Sequence, residues 1–203
     1  MTPSRPAAMG GWSPTWLAAR LLAFGLLVAI LATAASADEP ALAALLKTLD
    51  LSGYTTRTAP PQFRGSTLGA RQLSLTEYRG AVIVLNFWAT WCLECRPEMP
   101  VLERLHREFS SRGLAIIGVN ARENKEAARG YAKELGLTFP LVLDRDGKIN
   151  ARYGVIGLPT TFVVGRDGRA IAFAIGPREW GSAPARALIA ALLAEPTPGP
   201  AAQ

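Results

Sequence analysis

Two cysteines occur in this chain, and they stand together in Trp91-Cys92-Leu93-Glu94-Cys95. A pair at this spacing can cycle between dithiol and disulfide, lock a loop, or offer two thiolates to a metal. Zinc takes about four ligands. The sequence adds one histidine, His106, and no second CxxC, so no metal and no organic cofactor is expected. A bridge over so short a loop constrains the unfolded chain very little and would stabilise little. Redox cycling is the reading that uses the pair fully.

The flanking residues show what positions the pair. Val82 to Trp88 is an unbroken apolar run that reads as a buried strand, and Met99 to Phe109 reads as a helix. Cys92 then lies just before or at a helix N-terminus, where free N–H groups and the helix dipole favour a thiolate. Cys95 lies one turn further in and is less ionised. Cys92 is therefore expected to attack and Cys95 to resolve.

The remaining elements follow from periodicity and punctuation. Ala41 to Leu49 is a short apolar helix, and Leu51 to Pro61, with Gly53 and Pro60-Pro61, reads as a linker. Gly65 and Gly69 suggest a hairpin between Phe63 and Leu73. Leu114–Asn120 and Leu141–Asp144 are strands around a helix from Lys125 to Leu135 that Gly136 closes. Ile149 to Tyr153 is a short helix or turn. Thr160–Gly165 and Ala170–Ile175 flank Arg166-Asp167-Gly168-Arg169, a hairpin signal, and Ala183–Ala194 is the last helix. Alternating strands and helices, closed by a hairpin, predict an α/β fold with a central mixed sheet flanked by helices.

The N-terminus has a different character. Residues 21–37 carry no charge, Arg5 and Arg20 precede them, and Ala35-Ser36-Ala37 precedes Asp38. That is the pattern of an export signal with an A-x-A cleavage site. An uncleaved membrane anchor is the competing expectation, since the run is near the lower limit for a bilayer span. Either places the rest outside the cytoplasm. The expected division is 1–37 signal or anchor, 38–61 helix and linker, 62–195 one domain, and 196–203 a loose tail. The net charge of +6 is scattered among acids, as in Arg122-Glu123-Asn124-Lys125-Glu126, so no nucleic-acid partner is inferred.

Phe87-Trp88-Ala89-Thr90-Trp91-Cys92-Leu93-Glu94-Cys95 resembles the thioredoxin-fold active site. Arg96-Pro97-Glu98-Met99-Pro100 and Gly157-Leu158-Pro159-Thr160-Thr161-Phe162 narrow the resemblance to the TlpA/ResA-like thiol-disulfide oxidoreductases, and Gly176-Pro177-Arg178-Glu179-Trp180 to its TlpA side. The similarity runs from about Phe63 to Ala194. It implies a thioredoxin-like fold and a reductant acting in the periplasm or on the outer side of the cell membrane. Implied clients are apocytochrome c or copper-centre assembly proteins, and the implied electron donor is a membrane thiol transporter of the DsbD/CcdA kind. The membrane itself is a partner if the N-terminal segment is retained.

The resemblance also assigns residues. Pro159 matches a cis-proline beside the dithiol, so Leu158 would offer backbone groups to an extended client; a simple strand start is the plainer alternative. Trp91 would flank the dithiol in the client surface or serve packing alone. Pro100 matches a proline that kinks the active-site helix. Glu98, on the same helical face as Cys95, matches an acid near the dithiol and could accept the Cys95 proton. A solvated first-turn glutamate is the alternative. Two departures stand out. Asn86 replaces the aspartate of thioredoxin and cannot shuttle a proton. Glu94 replaces a proline and opposes thiolate formation at Cys92, while Arg96 could offset it.

Two rivals remain at this stage. A peroxiredoxin-like peroxidase shares the fold but does without a close partner cysteine. A non-enzymatic copper-delivery module would use the thiolates as soft ligands, with Met99 as a third donor.

Overall fold

In the computed structural model, the structure describes residues 38–197. The expected signal or anchor at 1–37 and the tail beyond Thr197 lie outside the described residues. The chain divides between Ala41 and Leu42, and the second unit, from Leu42 onward, contains the sheet.

The elements are α1 (Asp38–Thr48), β1 (Ser52–Gly53), β2 (Arg64–Ser66), β3 (Gln72–Ser74), β4 (Val82–Trp88), α2 (Cys95–Phe109), β5 (Leu114–Ala121), α3 (Lys125–Glu134), β6 (Leu141–Asp144), α4 (Lys148–Arg152), β7 (Thr160–Val164), β8 (Ala170–Ile175) and α5 (Ala183–Ala194). Among the described residues the main sheet has the order β1-β8-β7-β4-β5-β6. β4, β5 and β6 are parallel, while β7, β8 and β1 are antiparallel to their neighbours. The fold is α/β and thioredoxin-like with a mixed sheet, as the alternation of elements predicts.

Two departures from the sequence reading have local causes. The segment 51–61 is not wholly a linker: Ser52 and Gly53 pair with Phe173 and Ala172 and close the β8 edge of the sheet. Two residues are too few for a periodic signal, so the pairing is set by the neighbouring strand. The active-site helix starts at Cys95, four residues before Met99. Pro97 is tolerated there because the first-turn N–H groups have no intrahelical acceptor. Pro100 lies inside the helix and removes a donor from it.

The strands sort their residues between two cores with period two. Along β4, Val82, Val84 and Trp88 enter the core under α2, α3 and α5, and Ile83, Leu85 and Phe87 enter the opposite one. Asn86 falls on the first of these faces, fully buried beneath α2. On β5 the matching position is Gly118. A Cβ there would lie 2.6 Å from Leu141 and 2.8 Å from the Trp88 indole nitrogen, so the glycine makes room for the tryptophan. Trp88 in turn stacks on Tyr131 at 5.1 Å. The opposite core is aromatic, with Phe87, Tyr153 and Phe162 meeting edge-on or tilted. The β2–β3 hairpin joins the β6 edge through a bridge between Thr67 and Val142.

Candidate active site

The pair sits where β4 gives way to α2. The loop 89–94 leaves the strand, and Cys95 is the first helical residue. The two sulfurs are joined in a disulfide with a Cα–Cα distance of 5.3 Å. Cys92 keeps 7% of its surface exposed, and Cys95 keeps none. The Cys95 N–H points at the Cys92 sulfur from 3.1 Å. A backbone donor of this kind stabilises a thiolate once the bridge is opened.

The loop is pinned from the side by a residue the sequence reading passed over. Glu123, just beyond β5, accepts from the Thr90 N–H at 2.8 Å, from the Thr90 hydroxyl, and from the Asn120 amide at 2.6 Å. Its signal lay in topology: β4 and β5 are adjacent and parallel, so their C-terminal ends open side by side.

The register places the Leu158-Pro159 segment at the same end. Thr160 pairs with Phe87 near the end of β4, and the peptide bond before Pro159 is cis. Pro159 is buried, and Leu158 is half-buried between the two cores. The Pro159 carbonyl accepts from Gly176 at 2.8 Å, and the Thr160 hydroxyl donates to the Gly157 carbonyl at 2.7 Å. Around this end stand apolar side chains in water: Trp91 at 65% exposure, Leu93 at 85% and Ile156 at 86%. Large apolar groups gathered on one rim mark a binding surface more than scattered ones do.

Glu98 is not a solvated first-turn carboxylate. It is buried, with one oxygen accepting from the Arg178 backbone N–H at 2.6 Å and the other unpaired. Burial pushes its pKa up to about 7, against the opposing pull of the Arg178 N–H and of nearby Trp180 and Asn86. Neither Trp180 nor Asn86 completes a hydrogen bond to it, though both favour its charged form from nearby, and the Trp180 indole N–H is itself buried and unpaired. Asn86 spends an N–H on the Thr161 hydroxyl at 2.9 Å.

Three further side chains named from the sequence take their places around the pair. Arg96 does not offset Glu94, because its guanidinium is paired with Glu134 and lies 5.5 Å over the Tyr131 ring. His106 is half-buried, its ring 6.1 Å from that of Phe139. Met99, the third soft donor of the copper reading, is fully buried in the core. Among the described residues no group of three or more His, Cys, Asp or Glu side chains is placed to hold a metal ion.

Comparison with known proteins agrees with this geometry. Residues 56–172 match the AhpC/TSA family. The chain is 40% identical over 134 residues to the thiol-disulfide oxidoreductase ResA of Geobacillus thermodenitrificans, covering 63% of this chain and 77% of that one. A Chlorobium tepidum protein described as a candidate thiol:disulfide interchange protein DsbE superposes with a TM-score of 0.63 at 26% identity, over 68% of this chain and 96% of its own. A secreted thiol-disulfide isomerase of Corynebacterium glutamicum superposes with a TM-score of 0.59 at 25% identity, over 70% of this chain and 89% of its own.

Proposed function

We propose, since the chain belongs to the AhpC/TSA family and is a ResA/TlpA-like thiol-disulfide oxidoreductase, that it serves as an extracytoplasmic reductant of protein disulfides. The observation that carries the reading is the asymmetry of the pair: Cys92 reaches the surface and Cys95 does not. The Cys92 thiolate attacks a client sulfur and the client disulfide breaks, leaving a mixed disulfide. Cys95 gives its proton to Glu98 and attacks Cys92. The client leaves as a dithiol, and the Cys92–Cys95 bridge is restored. Glu98 fits its part because a carboxyl with a pKa of about 7 can take and return a proton near neutrality.

The exposed rim of Trp91, Leu93 and Ile156 suits a protein client, and Leu158 and Pro159 supply the backbone beside it. Export rests on the sequence of residues 5–39 and on the secreted relative. Among the described residues no helix is long and apolar enough to cross a membrane. The clients in this reading are apocytochrome c or copper-centre assembly proteins, and a membrane thiol transporter of the DsbD/CcdA kind returns the oxidised pair to dithiol.

The AhpC/TSA match also favours a second reading, a peroxidase. A Cys95→Ser variant in the native membrane fraction separates the two. Reduction of clients requires a protein adduct on Cys92 that a thiol reagent releases and that Cys92→Ser abolishes. Absence of adducts together with rapid peroxide consumption by the parent protein would favour the peroxidase.

A further inference from the structure

The turn between β8 and α5, Gly176-Pro177-Arg178-Glu179-Trp180, takes no part in the exchange steps above, yet it is fastened to the site at several points. Gly176, with φ at +87°, donates to the Pro159 carbonyl. The Arg178 N–H holds one oxygen of Glu98 at 2.6 Å. The Arg178 side chain turns the other way: its guanidinium donates to the Asp50 carbonyl at 2.9 and 3.0 Å and to the Asp50 carboxylate at 2.9 Å. Trp180 is buried in the same core as Met99 and Leu102 of α2.

Two buried polar atoms are left over beneath α2. The second Glu98 oxygen lacks a donor and the Trp180 indole N–H lacks an acceptor. Trp180 and Asn86 both act on Glu98 from close range and lower its pKa, the effect of N–H donors on a carboxylate. Buried polar groups without partners are rare and costly, so an unpaired oxygen beside an unpaired N–H asks for a common cause. An ionised carboxylate supplies one: it can accept from the indole N–H and from the Asn86 amide N–H that Thr161 does not take.

We propose that Trp180 and Asn86 are positioning residues that form a cradle for ionised Glu98: the indole N–H and the second Asn86 amide N–H pair with one carboxylate oxygen, while the Arg178 N–H holds the other. The cradle holds the carboxylate on the helix face it shares with Cys95. It also accounts for asparagine at position 86, where an aspartate would set a second negative charge against Glu98. The inference rests on the reading of Glu98 as the proton acceptor. The charged group acting on Glu98 is Arg178 on the turn, whose cation is bound to Asp50, and Cys95 lies one turn earlier on the same face of α2. β4 contributes the uncharged Asn86.

Nuclear magnetic resonance titration of the oxidised full chain tests it, since the bridged cysteines then do not titrate. The Trp180 indole N–H signal, assigned by its loss in Trp180→Phe, is expected to move downfield as pH rises, with the midpoint of the Glu98 carboxyl carbon. It should stay still in Glu98→Gln. Trp180→Phe, and the shape-preserving benzothienylalanine at 180, remove the donor to the charged form and should raise the Glu98 midpoint by roughly one pH unit. An indole signal that ignores the Glu98 titration, or a midpoint unmoved by benzothienylalanine, overturns the cradle. If the indole tracks Glu98 but Glu98→Gln resolves mixed disulfides at the parent rate, the cradle stands and the proton-acceptor reading falls.

Discussion

Burying Glu98 gives this protein a pH-dependent fold. The carboxyl titrates near 4.5 when solvated and near 7 here, with burial the main cause. Between those values the folded state binds more protons than the unfolded one, so stability falls as pH rises and levels off above about 7. Glu98→Gln removes the charge, and its amide oxygen can still accept from the Arg178 N–H. Denaturant melts of the oxidised protein should find the variant more stable than the parent at pH 8, by about 2 kcal/mol, and close to it at pH 4. The same substitution is expected to slow resolution of a mixed disulfide by about 10²-fold or more while changing the Cys92 attack less. Stopped-flow kinetics between pH 6 and 9 separates the two steps. At the pair itself, iodoacetamide at mildly acidic pH should label Cys92 well before Cys95, because the exposed sulfur is also the one met by the helix-terminal N–H. Glu94 stands exposed beside it and opposes the thiolate. Equilibration with glutathione is accordingly expected to place the couple nearer thioredoxin, about −270 mV, than DsbA, about −120 mV.

At the scale of elements, the site depends on how β4 and β5 are held together. Glu123 ties the loop that carries Cys92 to the end of β5, and its loss leaves the Thr90 and Asn120 donors without their acceptor. Glu123→Ala should cost about 1–3 kcal/mol in thermal unfolding and speed amide exchange at Thr90 more than in the sheet. Deeper in the sheet, Gly118 leaves the space that Trp88 fills. Gly118→Ala drives a methyl against the Trp88 indole and Leu141, and overpacking of this kind costs about 1–3 kcal/mol. Near-ultraviolet circular dichroism should report the displaced indole even where the melting change is small.

On the scale of the molecule, the most exposed of the large apolar side chains among the described residues gather at the end of the sheet where the pair opens. Leu93 and Ile156 come from segments far apart in sequence, the β4–α2 loop and the approach to β7. Replacing both with serine should raise the KM for a disulfide-bonded protein substrate and leave reduction of a small aromatic disulfide unchanged, because the small molecule needs the Cys92 sulfur but little of the rim. Equal loss with both substrates would show that the rim matters only through the dithiol.

The boundaries of β6 and α5, the closing hairpin, the mixed sheet and the cysteine pair were legible in the residues, because each rests on local periodicity, turn chemistry or spacing. That the pair stands where a strand gives way to a helix was readable from the chain alone. What folding decided is whatever depends on two distant segments meeting. Glu98 looked equally suited to water or to the core until Arg178, eighty residues away, came to rest on its carboxylate. Glu123 carried no mark until parallel pairing set the ends of β4 and β5 side by side. Ser52 and Gly53 became a strand only because β8 had an unpaired edge. Arg96 was close to Glu94 in sequence and still turned to Glu134, across the gap between two helices. Sequence sets which groups a residue brings and which neighbours lie within a turn or a hairpin. Burial and the partners that come from far along the chain belong to the tertiary structure, since they depend on where the rest of the molecule excludes water.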